Sequence, residues 1–174
     1  MTAAAFQSSV FINAGAGVPG EFYSDTPHRT QSFIIDSTDP TNNIIGSTCC
    51  TIVSQGIAEA GGTGVFAGFL VDPKDIALFG SGGLPLSPTL VVPNFTQVEC
   101  LTEGSIWVTL PGAAAIGDVV IFDQTTGQIS TITPTTALPG GSSYAFAVVD
   151  YFTVTTAGLA VITVTPQQNP YVHQ

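Results

Sequence analysis

Glycine or proline interrupts this chain every few residues, and the runs between are rich in threonine, valine, isoleucine and aromatics. That pattern leaves little room for a helix of several turns and suits short strands. The candidate strands are residues 44–53, 65–71, 97–101, 105–110, 119–122, 128–132, 145–150 and 159–165. Segment 65–71 (VFAGFLV) is a short apolar run, as expected of a strand buried on both faces. In SIWVTL, residues 105–110, Ile106, Val108 and Leu110 share one face and Trp107 and Thr109 the other. The clearest local signal is GDVVIFDQTTGQIS, residues 117–130. A strand ends at Phe122, residues 123–127 are polar turn chemistry with Gly127 supplying positive φ, and a strand resumes. Residues 54–63 and 80–88 are expected loops, and residues 111–116 a loop or a 3-10 turn. Short strands at this spacing predict an all-β barrel or sandwich.

Charge narrows the function. Twelve acids face two basic residues, Arg29 and Lys74, for a net charge of −10. Such a chain cannot neutralise a row of phosphates, so nucleic acid is not an expected partner. A membrane is not expected either: there is no cationic amphipathic face, and the uncharged stretches are broken by Gly, Pro, Ser and Thr. The N-terminus lacks the cationic start and apolar core of a secretion signal. Three cysteines suggest free thiols and folding in a reducing cytoplasm.

The 174 residues suit one domain with extended arms. The first charged side chain is Glu21. Residues 1–20 are therefore read as an N-terminal arm, 21–165 as the β-rich body and 166–174 as a C-terminal tail. Phe6, Val10, Phe11 and Ile12, with Tyr171 in the tail, suit uncharged termini that lie against another surface, or that dock on their own domain.

No motif assigns catalysis. Gly15–Gly20 spells G-x-G-x-x-G, but Pro19 removes a donor and no helix pattern follows, so a flexible joint is the better reading. The run 80–83 lacks the ending of a phosphate loop. Cys49 and Cys50 are adjacent, hence on opposite faces of a strand, and Cys100 is distant. With His28 and His173 in loop and tail, no zinc spacing arises. Buried structural thiols are expected. There is no G-x-S-x-G elbow, and His28 is the main candidate base for a nucleophile. Asp36-Ser37-Thr38-Asp39 suits an Asx turn better than a calcium loop. Asp72, Asp75, Asp118 and Asp123 flank turns. Phe66, Phe69, Phe122 and Phe146 are expected in the core. Asn94-Phe95-Thr96 is read as a chance sequon. No catalytic, cofactor or metal residue is assigned.

Several segments, in order, resemble the capsid cement, or head-decoration, proteins of tailed bacteriophages. Val18-Pro19-Gly20-Glu21-Phe22-Tyr23 followed by Pro27-His28-Arg29 is similar to the family's N-terminal stretch. Asp36-Ser37-Thr38-Asp39 and Asn42-Asn43-Ile44-Ile45-Gly46 resemble its next block. Gly61-Gly62-Thr63-Gly64-Val65-Phe66-Ala67-Gly68-Phe69-Leu70-Val71 with Pro73-Lys74 resembles its central signature. Gly117-Asp118, Ala147-Val148-Val149-Asp150 and Gly158-Leu159-Ala160-Val161-Ile162 resemble its C-terminal half. The likeness spans roughly residues 15–165. It implies a compact β-barrel or β-tulip-like body with an extended N-terminal arm, no catalytic residues, and a place on the outer surface of the phage head. The implied partners are the major capsid protein and copies of the chain itself, as a trimer or dimer. Phe6, Val10, Phe11 and Ile12 become candidate capsid contacts, and Arg29 a candidate ion-pair anchor.

Three other readings compete. A tail, spike or receptor-binding protein would share the composition. A carboxylate-based glycan hydrolase would need two acids facing each other in a cleft. A sugar-binding module would need Trp107 exposed as a stacking platform.

Overall fold

The computed structural model describes residues 17–23, 27–71 and 90–165. Phe6, Val10, Phe11, Ile12, the expected loop 80–88 and the tail 166–174 lie outside the described residues. Among those described there is no α-helix, only a 3-10 turn at Pro40–Asn42. Nine strands follow: β1 (Arg29–Ile35), β2 (Cys49–Ser54), β3 (Ile57–Ala60), β4 (Val65–Leu70), β5 (Gln97–Leu110), β6 (Val119–Asp123), β7 (Ile129–Ile132), β8 (Ser142–Asp150) and β9 (Gly158–Val164). The fold is all-β.

Their order is β1-β3-β2-β4-β5-β9-β8-β6-β7, and β1 also pairs with β5. That last pairing closes the first five strands into a barrel. Every pairing but one is antiparallel; β1 runs parallel to β3, with Ile34 opposite Ile57. Strand β5 belongs to both halves of the molecule. Its residues 97–103 pair with β1, and residues 104–110 pair with β9. The corner falls at Gly104, whose φ is +124° and where a Cβ would stand 2.8 Å from His28 Cβ. Glycine lets the strand bend there without breaking. The two expected strands 97–101 and 105–110 are thus one.

Two cores result. The barrel encloses Phe33, Ile35, Cys50, Ala58, Ala67, Leu70, Val98 and Cys100, with Ile45 and Val92. The second core lies between the sheet β5-β9-β8-β6-β7 and the barrel's outer wall. Ile106, Val108 and Leu110 face it, as the alternation in SIWVTL predicts, and the wall contributes Cys49, Phe69 and Leu101. Cys49 and Cys50 therefore sit one in each core, on opposite faces of β2. Burial pushes the Cys49 thiol well up. Hydrogen bonding with Cys50, and then burial, does the same for Cys100. Such thiols are poor nucleophiles. Phe69 and Phe122 are core residues as expected, whereas Phe66 and Phe146 are only half-buried.

A second seam joins the halves at the β6–β7 turn. Gly61 and Gly127 pass back to back, with φ of +74° and +72°. A Cβ on Gly127 would stand 2.5 Å from Gly61 N. Cys49 N–H donates to Gly127 O at 2.9 Å, and Gly62 N–H to Gln124 O at 2.6 Å. The hairpin itself is as expected. The Asp123 carboxylate accepts the N–H groups of Thr125 and Thr126, both at 2.8 Å.

Three departures have local causes. Of the expected strand 44–53 only residues 49–53 are in a strand, which runs Cys49–Ser54. Before it, Gly46 has φ +67°, and Thr48 Oγ1 donates to Asn42 O and accepts from Ile44 N–H. Side-chain bonding to nearby backbone competes there with the ladder. The expected loop 54–63 contains β3, whose four residues IAEA are short but alternate half-buried and buried. Strand β1 was not among the expected strands, because its first four residues, RTQS, offer no apolar alternation.

Candidate functional site

Half of β5 would leave an open edge. Residues 104–110 have β9 on one side only. The chain covers the other side with its own N-terminal segment. Gly20 N–H donates to Trp107 O at 2.8 Å, Trp107 N–H to Glu21 O at 2.9 Å, and Tyr23 N–H to Ser105 O at 2.9 Å. Thr109 N–H is taken by Gly46 O at 2.8 Å. Residues 20–23 thus form a short added strand, with Phe22 bridging to Ile106. Alternation then sends Phe22 and Tyr23 to opposite faces. Phe22 packs against the second core and stacks on His28 with ring centroids 3.9 Å apart.

Tyr23 meets Trp107 edge-on at 5.4 Å and Tyr151 at 4.3 Å. Phe152 lies 5.6 Å from Trp107. Gly17 closes over the indole: a Cβ at that position would collide with Trp107. Trp107 is left 7% exposed. What remains on the outside is an apolar surface holding Val18 and Tyr151, 46% and 47% exposed. Tyr151 takes φ +64°, a backbone conformation uncommon for a bulky residue, and its N–H donates to Asp150 Oδ1 at 2.8 Å. Asp150 Oδ2 accepts from Thr163 Oγ1 at 2.9 Å, which fixes the carboxylate from the neighbouring strand.

This arrangement is a strand-capped, aromatic root from which the chain continues toward residue 1. The expected arm-to-body joint at residue 20 lies inside the added strand. Arg29, the first residue of β1, is exposed and stands opposite Glu103 in the β1–β5 register. It directly follows His28, the residue stacked on Phe22. Tyr151 and Phe152 were not singled out from sequence, and Val18 and Tyr23 were named only within the stretch that resembles the family. Their available signal was proximity in the chain to Gly20 and Asp150, which says nothing of their meeting on Trp107.

The other candidates fare as follows. Burial of Trp107 removes the stacking platform that a sugar-binding module needs. Asp39 and Glu59 both line a groove of about 400 Å³ between the first turn and the β6–β7 hairpin. The Asp39 carboxylate accepts from Thr41 Oγ1 at 2.7 Å and Thr41 N–H at 3.0 Å, the Asx turn expected from sequence. Those bonds lower its pKa, the reverse of what a general acid needs. Among the described residues no group of three His, Cys, Asp or Glu side chains could hold a metal ion. Asn94 of the sequon is tied into the fold: its Oδ1 accepts Ser37 N–H and Asn43 Nδ2, and its Nδ2 donates to Ser37 O at 2.7 Å.

Residues 6–165 match the family model described as structural cement protein (E217 gp24/Pam3 gp6). The chain belongs to this phage cement family. No curated protein matches its sequence. The family match covers the aromatic root, the barrel and the second sheet together. It makes the cement-family chain a structural protein of a bacteriophage virion, associated with the capsid.

Proposed function

We propose that the chain is a non-enzymatic cement protein. It binds the outer surface of the phage head across joints between neighbouring major capsid proteins and stabilises the expanded shell. Synthesis takes place in the host cytoplasm. Residues 1–20 act as the arm, its last residues from Gly17 laid over Trp107 as the root, with Phe6, Val10, Phe11 and Ile12 as capsid contacts, and Arg29 is an ion-pair anchor beside the root. The remainder, to residue 165, is the body, and copies associate as a trimer or dimer.

The observation that carries this reading is the added strand over Trp107. It anchors the start of the chain to the sheet by three backbone hydrogen bonds. An uncharged apolar arm tied to a rigid root can add to another protein by backbone pairing and side-chain burial, without charges. Interface cores are depleted of charge, and 8% charged residues is far below the usual share near a quarter. A protein that binds only the expanded shell stabilises it by linkage, and many copies multiply a modest interface energy. The test is a reconstruction of expanded, undecorated heads mixed with the purified chain. Density in a regular lattice astride capsomer joints supports the reading. Density confined to the tail or a single vertex would replace it with the tail or spike reading.

A further inference from the structure

An apolar groove of about 460 Å³ opens between the barrel and the second sheet. Val65 and Phe66 of β4, Phe122 of β6, and Tyr144 and Phe146 of β8 line it. Among the described residues that line it, none is charged. Val65 is 63% exposed, and Phe66 and Phe146 meet edge-on at 5.2 Å with part of each ring uncovered. Phe146 has φ +50°, in a stretch of β8 where the register with β6 slips: Val119 faces Val148 and Ile121 faces Tyr144. A bulge with a left-handed aromatic residue re-aims a side chain at a cost, which is spent here on the groove wall.

The end of the described chain lies at the same place. Thr165 N–H donates to Phe146 O at 3.0 Å, and Thr165 Oγ1 to the same oxygen at 3.3 Å. The next residue, Pro166, has no N–H and cannot extend the ladder. Residues 166–174, PQQNPYVHQ, hold no acid, lysine or arginine. Their one aromatic is Tyr171, six residues beyond Thr165 and so within about 20 Å of it. The opposite end of the chain enters at Gly17 against Trp107, on the face of the second sheet that points away from Phe122 and its core.

From the groove and the chain's exit at its wall, we infer that residues 166–174 dock in this groove of their own chain, with the Tyr171 ring seated against Phe66 and Phe146. The docked segment covers an apolar surface that would otherwise face solvent. This is independent of capsid binding and is answered by the protein in solution.

The experiment compares the full chain with Tyr171→Ser by NMR at concentrations low enough for a monomer. It then uses a mixture of labelled and unlabelled chains for isotope-filtered contacts. The expected result is ring-to-ring contacts from Tyr171 to Phe66 and Phe146 within one chain. In Tyr171→Ser, amide-exchange protection around residues 144–146 falls roughly tenfold, the scale of one exposed apolar side chain. Contacts seen only between labelled and unlabelled chains would overturn the inference in favour of a second copy's tail. Absence of contacts with unchanged exchange would overturn it in favour of an open groove. The β5–β9 ladder, to which Tyr171 contributes no strand residue, serves as the folding control.

Discussion

The barrel and the second sheet are built on opposite plans. The barrel is closed by the β1–β5 pairing, so it has no edge to protect, and Phe33, Ile35 and Leu70 share its interior with the small side chains of Cys50, Ala58, Ala67 and Cys100. The second sheet is open. Its core is the more extensive of the two, its β5 edge is capped by the N-terminal segment, and aromatics crowd its outer face at Trp107. Closed sheets hide their backbone; open ones can offer it or cover it. On the proposed function, the barrel is a scaffold, and the sheet carries the root from which a partner would be reached.

The largest expected effect breaks both halves at once. Phe69 belongs to the barrel strand β4 but is buried in the second core. Phe69→Ala should cost about 3–5 kcal/mol. In urea, intrinsic fluorescence and circular dichroism should still follow a single coincident transition. Two separated transitions would mean that the halves fold as independent units.

Next, Ala67→Leu overpacks the barrel alone and should cost about 1–3 kcal/mol. Trp107, the sole tryptophan, reports on the root. Its native emission should not move in Ala67→Leu. Gly17→Val should do the reverse: little change in the unfolding midpoint, but a red-shifted, more quenchable Trp107 as the capping segment lifts. A shift of the same size in both variants would erase the distinction between scaffold and root.

Acidification gives the smallest effect. Hydrogen bonds from Thr126 and Thr125 hold the Asp123 pKa below the ordinary carboxylate value. A depressed folded pKa means that this stabilisation is present above the unfolded value and is lost as pH falls through the folded one. The group is exposed, so Asp123→Ala should cost under about 1 kcal/mol near neutral pH and still less in strong acid. An equal penalty at both pH values would show that the carboxylate's charge is irrelevant to the hairpin.

Much of this fold was legible before the structure. The β6–β7 hairpin follows from a strand, an Asp-led turn and Gly127, all within fourteen residues. The alternation in SIWVTL placed Ile106, Val108 and Leu110 on the core face, and the adjacency of Cys49 and Cys50 placed them on opposite ones. What stayed hidden depends on contacts far apart in sequence. Strand β1 is polar at its start and is a strand because β5 and β3 flank it. Closure of the barrel is a property of register, which no local pattern encodes. The root joins residues 17–23 to Trp107 and to Tyr151 and Phe152, three stretches that only the folded sheet brings together.

The central claim is that the segment before the root, not the body alone, attaches the protein to the phage head. It is tested most directly by deleting residues 1–16, which leaves Gly17 to Tyr23 over Trp107, and measuring decoration of expanded heads beside the full chain. The account predicts unchanged Trp107 emission, an intact fold and a severe loss of bound copies per head. Decoration equal to that of the full chain, at equal concentration, would contradict it.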